Sequence, residues 1–180
     1  LVGGLRAGTS YEVRIAGSVG GPQRLGDYVW EFRTPIPEVV KTTPAIGDME
    51  VDIAESTISV VFSHAADVET LLSPDRVQLL AAGVPATLLD MEYIGETYTL
   101  RFEPEGGLRA GTPYEVRIAA MAGGPRRERD YVWAFRTPVP KLSDTSPVSG
   151  DEMVDIATSS IVATFDHGVN ADVLLAPDNV

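Results

Sequence analysis

Apolar and polar residues alternate with a period of two along most of the chain. Tyr114, Val116 and Ile118 fall on one face, with Glu115 and Arg117 on the other, which predicts a half-buried strand. Tyr131, Trp133 and Phe135 share a face in a later strand, and Ile58, Val60 and Phe62 form another inward row. Thr97 to Phe102 also alternates, placing Tyr98, Leu100 and Phe102 inward. Val77 to Leu80 and Ala86 to Leu89 flank Ala81-Ala82-Gly83, which reads as a hairpin turn. Val39 to Thr42 opens the series, and Pro44 breaks it as expected at a sheet edge. Only Val68 to Leu72 has the spacing for a helical turn. About seven strands separated by turn signals predict an all-β sandwich of two sheets.

The pattern is then found to repeat. Gly4-Leu5-Arg6-Ala7-Gly8-Thr9 returns as Gly107-Leu108-Arg109-Ala110-Gly111-Thr112, an offset of 103 residues. Tyr11 to Ala16 returns as Tyr114 to Ala119, and Asp27-Tyr28-Val29-Trp30 as Asp130-Tyr131-Val132-Trp133. The register holds without a gap through Pro44/Pro147, Phe62/Phe165, His64/His167 and Pro74/Pro177. Comparing 1–77 with 104–180, 43 of 77 positions are identical, which chance does not produce. Solenoid repeats run to roughly 20–50 residues. A 103-residue period instead fits one sandwich domain, typically about 100 residues.

The chain therefore divides into three. Residues 1–37 are the back end of one unit, 38–140 a complete unit, and 141–180 the front of a third. Thr34-Pro35-Ile36-Pro37 and Thr137-Pro138-Val139-Pro140 are the connectors, stiffened by alternating proline. The two partial pieces together lack the counterpart of 78–103, which carries central strands. That favours a window from a longer array over partial units that complement one another between chains. Repeated aromatic positions are read as core: Tyr11 and Tyr114, Trp30 and Trp133, Phe32 and Phe135, Phe62 and Phe165. Leu108 to Tyr114, and its copy Leu5 to Tyr11, place a Tyr just after a Gly-containing turn. This is the arrangement of a tyrosine corner, whose hydroxyl bonds back to upstream backbone in Greek-key sandwiches.

These motifs carry a resemblance. Thr43-Pro44, Val51-Asp52-Ile53, Ile58-Ser59-Val60-Val61-Phe62-Ser63, Leu108-Arg109-Ala110-Gly111-Thr112-Pro113-Tyr114 and Trp133-Ala134-Phe135-Arg136-Thr137 follow one another in order. The stretch from Val39 to Thr137 resembles a bacterial immunoglobulin-like (Ig-like) domain of the S-layer-protein type. The resemblance implies tandem Ig-like Greek-key β-sandwiches, one complete and two partial. It also implies a surface-layer, stalk or spacer role outside the cell and no shared catalytic residues. The loop Ala122 to Asp130 departs from the family's usual Asp-x-x-Gly-Asn, so no ligand or ion role is carried over to it.

Composition narrows the function classes. Without cysteine there is no disulfide framework, thiol nucleophile or Cys-based zinc site. Two histidines do not make a His-rich metal site. A net charge of −12 repels nucleic acid and anionic lipid and keeps an array soluble. No apolar run approaches the ~20 residues of a membrane span, and Leu1 to Arg14 shows no signal-peptide pattern.

Candidate chemistry is sparse. His64 and His167 follow an inward Phe and read as loop histidines satisfied by backbone. Asp48, Asp52 and Glu55, with Asp151 and Asp155 as counterparts, are weak candidates for an inter-unit calcium site, because calcium takes roughly 6–8 oxygens. Glu103 and Glu105 sit at a strand end, where solvation is the default. Ser56, Ser63 and Ser159 lack a nucleophile elbow. Gly20-Gly21 and Gly123-Gly124 precede Pro, which argues against a phosphate cradle. Arg126, Arg127 and Arg129 form a small basic loop, of which the earlier copy keeps one arginine, Arg24.

No catalytic or cofactor residues are expected. The expected function is a non-catalytic structural module of a long secreted bacterial tandem array: a stalk, surface layer or extracellular fibre. Its partners are neighbouring Ig-like units of the same or adjacent chains, including a homopolymer, with no nucleic acid and no membrane insertion. The alternatives are an adhesin or carbohydrate-binding module, which needs a surface aromatic platform, and a spacer within a secreted enzyme.

Overall fold

The computed structural model of the protein describes residues 4–17, 26–120, 129–155, 157 and 160–176. Twelve strands and two one-turn helices occur among them. In chain order they are β1 (Ser10–Ile15), β2 (Tyr28–Arg33), β3 (Val39–Thr43), β4 (Ile58–Phe62), α1 (Val68–Leu71), β5 (Val77–Ala81), β6 (Val84–Ala86) and β7 (Leu88–Ile94). Then come β8 (Thr99–Pro104), β9 (Pro113–Ile118), β10 (Tyr131–Arg136), β11 (Leu142–Ser146), β12 (Val162–Phe165) and α2 (Ala171–Leu174).

Strands β3 to β10 build two antiparallel four-stranded sheets, ordered β3-β4-β8-β7 and β10-β9-β5-β6. In Ig lettering these are A-B-E-D and G-F-C with a short extra strand beside C. Alternation supplies the inner faces. Ile58, Val60 and Phe62 from β4 meet Leu100 and Phe102 from β8 on one side. Val77 and Leu79 from β5, Tyr114, Val116 and Ile118 from β9, and Trp133 and Phe135 from β10 face them. All of these side chains are buried, and Leu71 of α1 and Leu108 plug the ends. The protein is all-β, and this unit is an Ig-like sandwich.

Three details differ from the pattern expected from the sequence. The stretch Ala86 to Leu89 is not one strand. The chain leaves β6, bonded to β5, and at Thr87 crosses into β7, bonded to β8 in the other sheet. The unit thus has eight strands. The turn before β6 is Ala82-Gly83, with φ of 48° and 82°. Positive φ at both central positions is what a tight two-residue hairpin needs to match strand twist. Finally, Tyr98 does not face inward. It ends the turn before β8 with φ 53° and is 38% exposed, because the left-handed backbone there takes it out of the pleat.

After β3 the chain passes a cis Thr43-Pro44 bond and changes sides. Residues 47–51 then run along the free edge of β10. Gly47 N–H donates to Ala134 C=O (2.8 Å), Arg136 N–H to Asp48 C=O (2.7 Å) and Val51 N–H to Arg136 C=O (3.2 Å). This covers an edge that would otherwise present unpaired donors and acceptors.

The flanking pieces keep local geometry without a covered core. β1 and β2 pair in the register of β9 and β10: Tyr11 opposite Phe32 and Val13 opposite Trp30, as Tyr114 opposite Phe135 and Val116 opposite Trp133. Yet Trp30 is 39% and Phe32 36% exposed, against 2% for each of Trp133 and Phe135. Tyr11 and Phe165 are half-buried. The inward placement expected of Trp30 and Phe32 is therefore corrected: among the described residues no second sheet covers that face.

Candidate functional site

Residues expected to carry chemistry prove to be dispersed. Asp48, Asp52, Asp151 and Asp155 each accept, through Oδ1, the backbone N–H two residues on, at 2.8–3.0 Å. These are Asx turns, a standard use of aspartate in loops. Among the described residues no three His, Asp or Glu side chains converge as metal ligands. Glu103 accepts from Thr57 Oγ1 (2.6 Å) and Ser56 Oγ (3.4 Å) at the rim of the sandwich. Glu105, Glu55 and Arg129 are exposed. Gly20-Gly21, Gly123-Gly124, Arg24, Arg126, Arg127, Ser159 and most of the loop 122–130 lie outside the described residues.

The histidines are partnered by side chains instead of backbone. His64 Nδ1 lies 2.9 Å from Ser63 Oγ. His167 Nδ1 lies 3.0 Å from Asp166 Oδ1, and its Nε2 lies 3.3 Å from Glu50 Oε2. The divergence has a simple origin: Asp166 stands where the complete unit has Ser63, and Glu50 reaches across from the unit before.

That contact belongs to a set of polar bonds around the connector 137–140. It begins with the tyrosine corner. Tyr114 Oη accepts from the Arg109 N–H at 2.7 Å while its ring stacks on Phe135, centroids 5.2 Å apart. Thr137, fully buried at the end of β10, ties the connector to the same loop. Its Oγ1 donates to Arg109 C=O (2.6 Å) and accepts from Thr112 N–H (2.9 Å). Gly111 N–H then donates to Pro138 C=O (2.8 Å). Gly111 has φ 65°, and a Cβ there would meet Val139 Cγ2 at 3.1 Å. The connector is thus bonded to its own unit at Thr137 and Pro138.

The stretch 141–180 carries one bond of its own beside the connector and reaches back to 38–140 at Glu50, Ile53 and the tyrosine corner. Lys141 N–H donates to Asp166 Oδ1 at 2.7 Å. That bond, more than the neighbouring His167, holds the Asp166 carboxyl below its usual range, although partial desolvation opposes it. Gly168 lies against Ile53, where a Cβ would come within 2.7 Å of Cγ1. Asn170 accepts the Ala110 N–H through Oδ1 (2.8 Å) and donates from Nδ2 to Leu108 C=O (3.3 Å). One side chain thereby satisfies two backbone groups of the preceding tyrosine corner.

Thr137, Glu50, Gly168 and Asn170 were not singled out as site residues by sequence reasoning. Thr137 had a signal, because Thr34 repeats it with the same bonds to Arg6 and Thr9. Asn170 and Gly168 had none, because their counterparts are Asp67 and Ala65.

A bacterial Ig-like domain model matches residues 35–137, more than half of the chain. The chain belongs to the bacterial Ig-like domain family. No curated protein matches its sequence. Bacterial Ig-like domains of this family are generally non-catalytic and occur in bacterial surface proteins. Among the described residues no helix is long and apolar enough to cross a membrane.

Proposed function

We propose that this chain is part of a non-catalytic array of Ig-like units on the bacterial surface, serving as a stalk, surface layer or extracellular fibre. One observation carries the proposal: the complete unit closes its own core and is bonded through a short proline connector to the start of the next. Such units hold a set spacing because each buries its apolar area alone and the connector has little freedom. The partners are copies of the same unit, in series along one chain or between chains. The exposed face of Trp30 and Tyr28 copies the core face of Trp133 and Tyr131, so it reads as core awaiting its opposite sheet and not as a sugar-binding platform. On this reading Asp48, Asp52, Asp151 and Asp155 serve as turn residues.

Immunogold labelling of intact source cells with antibody raised against 38–140 tests this. Surface label that external protease removes is the expected result. Label that appears only after permeabilisation would contradict it.

A further inference from the structure

We propose that the tyrosine-corner loop of each unit, together with the loop around Ile53, is a docking surface for the unit that follows. The pair Gly168 and Asn170 is the key that engages it. The inference rests on the reading of units in series and deepens it by naming what sets the joint.

One side-chain amide, that of Asn170, makes the polar part of the contact. Leu108 C=O and Ala110 N–H point outward from a loop whose other groups are used internally, by Tyr114 and Thr137. Asparagine has both a donor and an acceptor, so Asn170 pairs with both at once. An ionised aspartate has acceptors only and cannot serve Leu108 C=O. The complete unit carries Asp67 at this position, and its Oδ1 accepts from Thr70 N–H of its own helical turn at 3.4 Å. Asn170 occupies the same cap position on α2 but makes no side-chain bond to that helix. Its amide is committed to the neighbour.

Shape agrees with polarity. Gly168 sits against Ile53, where a Cβ would have to push the Ile53 side chain aside, whereas the complete unit has Ala65 here. His167 beside Glu50 completes the contact. Two kinds of unit follow from one fold. A unit with Gly-x-Asn after its His docks in a single pose on the unit before it. One with Ala-x-Asp, as in 38–140, keeps that side chain for its own turn and leaves the joint before it freer. An array could set rigid and compliant joints by these two positions while every core stays the same.

The test uses the whole 180-residue chain, which has no cysteine to interfere with labelling. Glu96→Cys and Glu152→Cys, both exposed, carry spin labels on the two sides of the joint. Distance distributions and amide exchange are measured with and without Asn170→Asp, which installs the complete unit's own residue, and with Gly168→Ala. A narrow distribution is expected in the parent, broadened at least twofold by either change. Ala110 N–H exchange should accelerate at least tenfold in a third variant, Asn170→Ala, which removes the acceptor that Asn170→Asp keeps. Val116 N–H exchange, deep in the core, should not move and reports that the sandwich is intact. Unchanged Ala110 exchange together with an unchanged distribution would overturn the proposal, as would a parent distribution as broad as the variants'. These readouts are indifferent to where the protein resides, so their failure is separable from failure of the surface assignment.

Discussion

The hairpins β1–β2 and β9–β10 are nearly the same sequence in two settings. Both keep the same register, the same Tyr–Phe stack (centroids 5.3 and 5.2 Å) and the same hydroxyl bond from the corner Tyr to backbone five residues upstream. Their burial differs sharply: Trp133 is 2% exposed and Trp30 39%. Local sequence thus specifies the hairpin, its register and its corner. The energy that makes these features a stable unit comes from the opposite sheet, through β4 and β8, and from β5 paired beside β9.

The sharpest way to break this comparison is at the tryptophans. Trp133→Ala should cost the complete unit about 3–5 kcal/mol, the usual range for removing a large buried aromatic. Trp30→Ala should lie within about 0.5 kcal/mol, as for surface changes. Urea unfolding followed by circular dichroism reads both, and equal losses would mean the two hairpins share one environment. Thr137→Val comes next. It keeps the shape but strips a fully buried hydroxyl from Arg109 C=O and Thr112 N–H. Leaving those groups unpaired should cost about 1–3 kcal/mol by the same assay, with Thr34→Val costing less. Tyr114→Phe should cost about 1 kcal/mol, the net value of one such bond, and Tyr11→Phe less, because Arg6 and Tyr11 are already open to water.

A smaller effect is expected with pH at the Lys141–Asp166 pair, inside 141–180. The Asp166 carboxyl is held below its usual range chiefly by the Lys141 N–H. A depressed value means the folded state favours the charged form. Its contribution is therefore full above the ordinary value of about 4 and fades as pH falls through the depressed one. Amide shifts of Lys141 across this range should follow Asp166 protonation, while Val116 stays constant. Smallest of all is calcium. Calorimetry on the full chain should show no binding heat, and chelator should not shift the melting curve. A saturable heat would reverse the assignment of Asp48, Asp52, Asp151 and Asp155 as turn residues.

Much of the sandwich was legible because its information is local or repeated. Ile58-Val60-Phe62 and Tyr114-Val116-Ile118 alternate cleanly, and each corner motif occurs twice. The crossing at Thr87 was not legible. Val84 to Ile94 is apolar enough to read as one continuous segment, and the sheet each residue joins depends on β5 and β8, not on its neighbours in sequence. Tyr98 misled for a related reason, since its turn geometry overrides the alternation that begins after it. The joint was hidden more deeply. Asn170 acts on Leu108 and Ala110, about sixty residues earlier, and comparing the copies drew attention to what they share, not to the substitution of Asn for Asp.

All of this depends on residues 38–140 closing their own core. Producing that segment alone and following its thermal unfolding by Trp133 fluorescence is the direct measurement, because 133 is then the only tryptophan. A single cooperative transition from a buried, blue-shifted tryptophan, at a midpoint close to that of the unit within the 180-residue chain, is the expected result. A solvent-exposed Trp133 with no transition would show that the unit does not stand by itself, and an array of self-contained modules could not be built from it.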